Sequence, residues 1–141
     1  MSIPTVDLTE AAKAYNMQTV PPVVLAPLTM EDLFYGDPEA AYDNRTGEIE
    51  IWPDVFDAPD DYDQGRFAKV GVGPLDATGK AQFIIAHELW HAKQGELHGV
   101  EWLRNVAAVT KDTVEQHDSN CAEQEADQHA AQVYTLVKIG D

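Results

Sequence analysis

The stretch "AHELWHAKQGELHG", residues 86–99, carries two histidines four positions apart and a glutamate directly after the first. In an α-helix, residues four apart lie on one face, with Cβ atoms about 5–6 Å from each other. His87 and His91 therefore point to the same side and can bind one Zn²⁺ at about 2.0–2.1 Å each. Glu88 is rotated from His87 by about 100° around the helix axis, which places it to act on a water bound to the metal.

The residues around this motif predict a buried helix. Apolar side chains precede His87 and separate Glu88 from His91, namely Phe83, Ile84, Ile85, Ala86, Leu89 and Trp90. A helix that is apolar on nearly every face lies inside a protein. Buried imidazoles and a buried carboxylate are costly to desolvate unless something pairs with them, and a metal ion does so. We expect this helix to run from about residue 78 to 94 and to end at Gly95.

A catalytic zinc usually takes three protein ligands, so the two histidines leave one ligand to be found. The segment "CAEQEADQHAA", residues 121–131, offers Glu123 as that ligand. Asp127, four residues later on the same helical face, can accept the free ring N–H of a ligand histidine. The other candidate ligand is His98, which a turn at Gly95 would bring back to the metal. From the residues alone, both alternatives stay open.

The rest of the chain predicts an α+β domain over residues 1–141, with a small antiparallel sheet or hairpin packed on the zinc-bearing helix and two further C-terminal helices. Residues 40–53 indicate the hairpin, because turn residues precede the alternating sequence "EIEIW" at 48–52. The proline-punctuated segment at 19–29 predicts extended chain or an edge strand. Helical periodicity recurs in three further segments, at residues 7–17, 100–116 and 119–138.

Composition and charge exclude several classes of protein. The formal net charge is −16, from 25 acidic and 9 basic residues, which argues against binding to nucleic acid. No apolar run approaches the roughly 18 residues that a membrane span needs, and the first residues do not read as a signal peptide. With one cysteine in the chain, these features predict a cytoplasmic protein that does not bind membranes. The acidic stretch at 54–65 is interpreted as a solvated loop.

In two segments the chain resembles minimal zinc metallopeptidases of the gluzincin type, and among them the ImmA/IrrE-like family found in bacteria, mobile elements and phages. That family pairs an "AHELxH" helix with a later helix that reads Glu-x-Glu-Ala-x-x-x-Ala. The corresponding segments here are "AHELWH" at 86–91 and "EQEADQHA" at 123–130. The resemblance covers roughly residues 40–135 and implies a zincin-like fold.

The resemblance also implies the role of each residue. The zinc ligands would be His87, His91 and Glu123, with Glu125 as the alternative to Glu123. The implied reaction is hydrolysis of a peptide bond in a protein or peptide substrate. Zinc would polarise the scissile carbonyl and lower the pKa of its bound water toward about 7, while Glu88 takes the proton as general base. Candidates to stabilise the oxyanion are Tyr134, His117 and His129, and the hairpin edge is a candidate to bind the peptide as an added strand.

Two alternatives to this interpretation remain. The segment "HELWHAKQGELHGVEW", residues 87–102, is also similar to SprT-type proteases, in which His98 would be the third ligand and Trp102 the aromatic residue that follows it. Those enzymes act on DNA-bound proteins, which a net charge of −16 disfavours. The other alternative is a non-catalytic, acidic, zinc-containing module that binds a protein partner. The number of protein ligands separates them, because structural zinc is closed by four ligands and catalytic zinc keeps a position for water.

Overall fold

The computed structural model describes residues 4–25, 40–43, 46–99, 101–102 and 121–140, which form short strands and helices around one long helix. The strands are β1 (Thr5–Asp7), β2 (Val23–Leu25), β3 (Ala40–Asp43), β4 (Glu48–Ile51) and β5 (Lys138–Gly140). The helices are α1 (Thr9–Ala14), α2 (Asp61–Lys69), α3 (Ala77–His98) and α4 (Cys121–Val133), with 3₁₀ turns at Pro53–Phe56 and Tyr134–Leu136. The predicted α+β class is confirmed.

The predicted hairpin is present as the antiparallel pair β3 and β4, with Tyr42 opposite Ile49. In β4, Ile49 and Ile51 are fully buried while Glu48 and Glu50 are partly exposed, as the alternating sequence predicts. The proline-flanked segment supplies β2, which pairs with the other side of β4 and lies at the edge of the sheet formed by the described strands. The antiparallel hairpin is thus present as predicted, and β2, which runs parallel to β4, extends it to a mixed sheet.

Helix α3 begins where the side chain of Asp76 accepts a hydrogen bond from the backbone N–H of Gly79 at 2.8 Å. The prediction that this helix ends at Gly95 was wrong, since it continues to His98. The residue that terminates it is Gly99, whose φ of 93° lies in the region that favours glycine. Gly95 stays helical, where a glycine costs about 1 kcal/mol relative to alanine.

The acidic stretch at 54–65 was predicted to be a loop, and this was wrong because helix α2 begins within it. Asp60 accepts from the backbone N–H of Asp63 at 2.8 Å, and Asp63 accepts from that of Asp60 at 3.0 Å, which is a reciprocal capping box. Acids in the first turn and Arg66 and Lys69 in the last turn complement the helix dipole. The same charges that suggested a solvated loop therefore stabilise a helix.

The predicted helix at 119–138 is shorter than expected, because α4 ends at Val133 and the chain then forms a 3₁₀ turn and β5. Strand β5 pairs antiparallel with β1, which joins the two ends of the described chain. The predicted helix at 100–116 lies almost wholly outside the described residues.

Helix α3 lies at the centre of the molecule and contacts α4, the hairpin and the 3₁₀ turns. Ala126 and Ala130 of α4 are fully buried, and such small side chains allow two helices to approach closely. Among the described helices, not one combines the length and the apolarity needed to cross a bilayer. The packing of α4 on α3 is what brings residues from the two C-terminal segments together.

Candidate metal centre

The two motif histidines face the same side of α3 and are almost entirely buried. His87 is 3% exposed and His91 is 9% exposed. Their Nε2 atoms lie 3.1 Å apart, with the two rings nearly perpendicular at 84°. The helix therefore directs both nitrogen lone pairs toward one point, as the spacing of four residues predicts.

Glu123 of α4 completes a group of three ligand atoms at this point. Its Oε2 lies 2.7 Å from His87 Nε2, and its Oε1 lies 3.1 Å from His91 Nε2. One ligand atom from each residue falls within 4.8 Å of the others, so the group can hold a metal ion. The structure thus brings together the two motif histidines and Glu123, one of the two candidates for the third ligand.

Asp127, one turn after Glu123, contacts the other nitrogen of the His87 ring. His87 Nδ1 donates to Asp127 Oδ1 at 2.7 Å. The Arg66 guanidinium donates to the same carboxylate through Nη2 at 2.7 Å and Nε at 3.0 Å. Burial alone would raise the pKa of Asp127, but the hydrogen bonds from His87 and Arg66 outweigh it and lower the pKa to about 2. Asp127 is therefore ionised at neutral pH and directs the His87 Nε2 lone pair toward the ligand group.

His91 has an equivalent partner in Gln94, one turn later on α3. His91 Nδ1 donates to Gln94 Oε1 at 2.8 Å, and Gln94 is fully buried. Burial lowers the pKa of His91, but the hydrogen bond with Glu123 and the negative charges of Glu88 and Glu123 raise it to about 9. In both rings, the partner at Nδ1 fixes the tautomer whose Nε2 binds a metal.

Glu88 lies beside the ligand group but outside it. Its Oε2 is 3.9 Å from His87 Nε2, and its side chain is largely buried. Its Oε1 accepts a hydrogen bond from the backbone N–H of Tyr42 in β3 at 3.1 Å. Strand β3 thus holds one carboxylate oxygen, while the other faces the ligands.

A cavity of about 380 Å³ opens onto the group between α2 and α4. His87, Glu123 and Asp127 form part of its wall, together with Arg66 and Lys69 of α2. The buried ligand group can therefore be reached from solvent by a small chemical group. Such access is required for a substrate group to bind at a metal.

The structure does not bring the two alternative ligands to the group. His98 is exposed at the end of α3, where its ring lies 4.4 Å from that of Trp102. Because α3 is not broken at Gly95, His98 stays on the helix instead of turning back. Glu125 also contacts α3, but at Trp90, where it accepts from Nε1 at 2.9 Å.

Two residues predicted as oxyanion stabilisers pack elsewhere. The Tyr134 ring lies against Phe83 at a centroid distance of 6.2 Å. His129 is stacked on Trp90, with centroids 3.6 Å apart and planes 12° from parallel. The third candidate, His117, lies outside the described residues.

Sequence reasoning missed Arg66 and Gln94. The signal for Gln94 was present, because a residue three positions after His91 lies on the same helical face. The signal for Arg66 was the Asp60 to Asp63 capping box, which predicts a helix and so gives Arg66 a fixed position. Neither pattern predicts which side chain each residue contacts, because that depends on how the helices pack.

No protein-family model, curated protein or solved structure matches this chain. The geometry of the site is therefore the basis for any functional assignment.

Proposed function

We propose that this chain is a zinc-dependent peptidase of the gluzincin type. The observation that carries the proposal is the convergence of His87, His91 and Glu123 on one point, with Glu88 beside them. Two imidazoles and one carboxylate are a ligand set found in catalytic zinc sites, and three protein ligands leave one coordination position for water or substrate.

The ligand distances fit a single small metal ion, and the donor set favours zinc. Four ligands at about 2.0–2.1 Å in a tetrahedron are separated from each other by about 3.3 Å. Here the two Nε2 atoms lie 3.1 Å apart, and each lies close to a different oxygen of Glu123, at 2.7 Å for His87 and 3.1 Å for His91. The ring partners Asp127 and Gln94 add the outer hydrogen bonds that orient metal-ligating histidines. When bound, zinc supplies a Lewis acid that polarises the scissile carbonyl and activates water.

Glu88 is placed to act as the general base. The Tyr42 N–H holds its Oε1, which leaves Oε2 as the oxygen that faces the ligands and can take a proton from the attacking water. The same oxygen can then pass the proton to the leaving amine. A carboxylate anchored on one side in this way loses little freedom when it acts.

The edge of β3 is placed to bind the peptide. The Ile49 N–H donates to the carbonyl oxygen of Pro22, on the β2 side of β4. Ile49 and Tyr42 are therefore a pair that exchanges no hydrogen bonds, and the N–H and C=O groups of Tyr42 are directed away from β4. Ala40, two residues earlier, has the same orientation. Because the Tyr42 N–H donates to Glu88, a peptide added along this edge would pair with the Tyr42 C=O and the backbone of Ala40, and it would pass next to Glu88. Main-chain pairing of this kind permits a loose sequence preference.

Replacement of Glu88 tests the proposal. Glu88→Gln should retain zinc and fold but lose peptide hydrolysis, because an amide keeps the shape and cannot accept the proton. Glu96→Gln is the matched control, since it makes the same change on the exposed part of α3. Cleavage of a broad peptide library by the zinc-loaded protein is the measurement. Equal rates for Glu88→Gln and wild type would contradict the assigned role of Glu88.

A second candidate is a non-catalytic, metal-containing module that binds a basic protein partner. The net charge of −16 favours it, because a strongly acidic surface attracts basic partners. The same library separates the two functions. A zinc-loaded wild type that cleaves no peptide, while it binds zinc through His87 and His91, would favour the binding module.

A further inference from the structure

The Arg66 guanidinium links three helices at the candidate metal centre. It lies on α2, donates twice to Asp127 of α4, and rests over the ring of Phe83 on α3 at 5.4 Å from the centroid. Its Nη2 also lies 3.0 Å from His87 Nδ1, but that nitrogen donates to Asp127 and so cannot accept a hydrogen bond from Arg66. Phe83 precedes His87 by one helical turn. The side chain is thus held by the same two helices that carry the metal ligands.

We infer that Arg66 is a positioning residue for the metal ligand His87 and acts on it through Asp127. This inference rests on the proposed metal site and does not depend on peptidase activity. Two parallel N–H donors fix both the place and the plane of a carboxylate, which a single hydrogen bond does not do. With the Asp127 plane fixed, its Oδ1 can direct the His87 ring toward the ligand group.

A purely electrostatic role for Arg66 predicts the opposite effect on metal binding. A guanidinium cation near a metal cation repels it, so loss of Arg66 would strengthen binding if charge alone mattered. If Arg66 orients His87 through Asp127, its loss weakens binding, because a metal requires its ligands within about 0.5 Å of the productive geometry. The sign of the change therefore distinguishes the two roles.

Lys69 provides a matched control for this measurement. It lies on α2, three residues after Arg66, and borders the same cavity. It is exposed and has no part in the contacts described for Asp127 or the metal ligands. Lys69→Met removes the same charge from the same helix and cavity as Arg66→Met.

The first measurement is zinc affinity, determined by competition with a chelator. Arg66→Met should weaken zinc binding by about 10–100-fold, the usual effect of losing an outer partner of a ligand histidine. Lys69→Met should stay within about threefold of wild type. Arg66→Lys, which keeps the charge but not the two parallel donors, should fall between them. If Arg66→Met does not fold, as judged by circular dichroism, the comparison of Arg66→Lys with Lys69→Met decides.

A second measurement separates positioning from a general loss of structure. In metal-free protein labelled with ¹⁵N-histidine, the NMR signal of the His87 Nδ1–H should be observable, because its hydrogen bond to Asp127 slows exchange of this proton with water. The signal should be lost to exchange in Arg66→Met and Arg66→Lys and retained in Lys69→Met. In an Asp127→Asn background, Arg66→Met should change zinc affinity by less than about threefold, because the carboxylate through which Arg66 acts is gone.

The outcomes distinguish this inference from the proposed site. If His87→Ala binds zinc as tightly as wild type, the metal site itself is wrong. If His87→Ala loses zinc, the proposed site stands. If Arg66→Met and Arg66→Lys then bind zinc at least as tightly as Lys69→Met, the inference about Arg66 is overturned. The inference would also be overturned if Arg66→Met weakened zinc binding equally in the wild-type and Asp127→Asn backgrounds.

Discussion

At the scale of single residues, Glu123 has the central position in the site because its carboxylate reaches both histidines. Its oxygens lie 2.7 Å from His87 Nε2 and 3.1 Å from His91 Nε2. His98, by contrast, is exposed at the end of α3. The sequence offered both residues as third ligands, with Glu123 as the first choice and His98 as the alternative, and they can be compared directly.

We expect Glu123→Ala to weaken zinc binding by at least 10–100-fold and His98→Ala to leave it nearly unchanged. A loss of 10–100-fold in metal affinity is usual when a hydrogen-bond partner of a ligand histidine is removed. Removal of a ligand itself should cost at least as much. Chelator competition on both variants is the measurement. Loss of zinc in His98→Ala with retention in Glu123→Ala would mean that three histidines form the site.

The raised pKa of His91 makes the stability of the metal-free protein depend on pH. The pKa is about 9 in the folded protein, against 6.5 for an ordinary histidine, mainly because the hydrogen bond with Glu123 outweighs burial. A raised folded-state pKa stabilises the fold fully below about pH 6.5, and this stabilisation is lost as pH rises through about 9. The metal-free wild type should therefore lose stability over this interval, measured by thermal unfolding in chelator.

His91→Gln is the control for that titration, since it keeps a polar side chain without an ionisable group. The difference in melting temperature between wild type and His91→Gln should shrink as pH rises from 6.5 to 9. Zinc affinity should change in the opposite direction and increase with pH, because the metal must displace the His91 proton. A difference in melting temperature that stays constant with pH would contradict the assigned role of Glu123 as the partner of His91.

At the scale of secondary-structure elements, the position of Glu123 depends on the contact between α3 and α4. Ala126 is fully buried at this contact and lies three residues after Glu123, on the same face of α4. A larger side chain at this position would push α4 away from α3 and move Glu123 with it.

We expect Ala126→Leu to destabilise the protein by about 1–3 kcal/mol through overpacking and to weaken zinc binding as well. Gln132→Leu is the control, because it adds a leucine to an exposed position of the same helix. Urea unfolding and chelator competition give the two quantities. Unchanged zinc affinity in a destabilised Ala126→Leu variant would mean that Glu123 does not depend on this packing.

At the scale of the whole molecule, a bound metal would join α3 and α4 and so stabilise the fold. A ligand that binds only the folded state adds about 4 kcal/mol at a free concentration a thousand times its Kd. For a chain of 141 residues, this corresponds to a rise in melting temperature of about 10 °C or more. Scanning calorimetry with and without zinc is the measurement, and His87→Ala, which lacks a ligand, should show no such rise.

The class of fold and the centre of the site could be predicted because they depend on local periodicity. The hairpin followed from the alternation at Glu48–Ile51, since a period of two buries one face of a strand. The shared direction of His87 and His91 followed from a spacing of four residues in a helix. The helix at Asp61–Lys69 was missed, although its capping box is local, because a dense run of aspartates is also typical of solvated loops.

The sequence by itself determined the residues able to bind a metal, because donor type and helical spacing are properties of a short segment. Only the tertiary structure decided between Glu123 and His98, and only it placed Arg66 on Asp127. Glu123 and His87 are 36 residues apart, and Arg66 and Asp127 are 61 apart. Contacts at such separations depend on which helix faces pack together, and that packing is set by burial of the whole apolar surface instead of by any one segment.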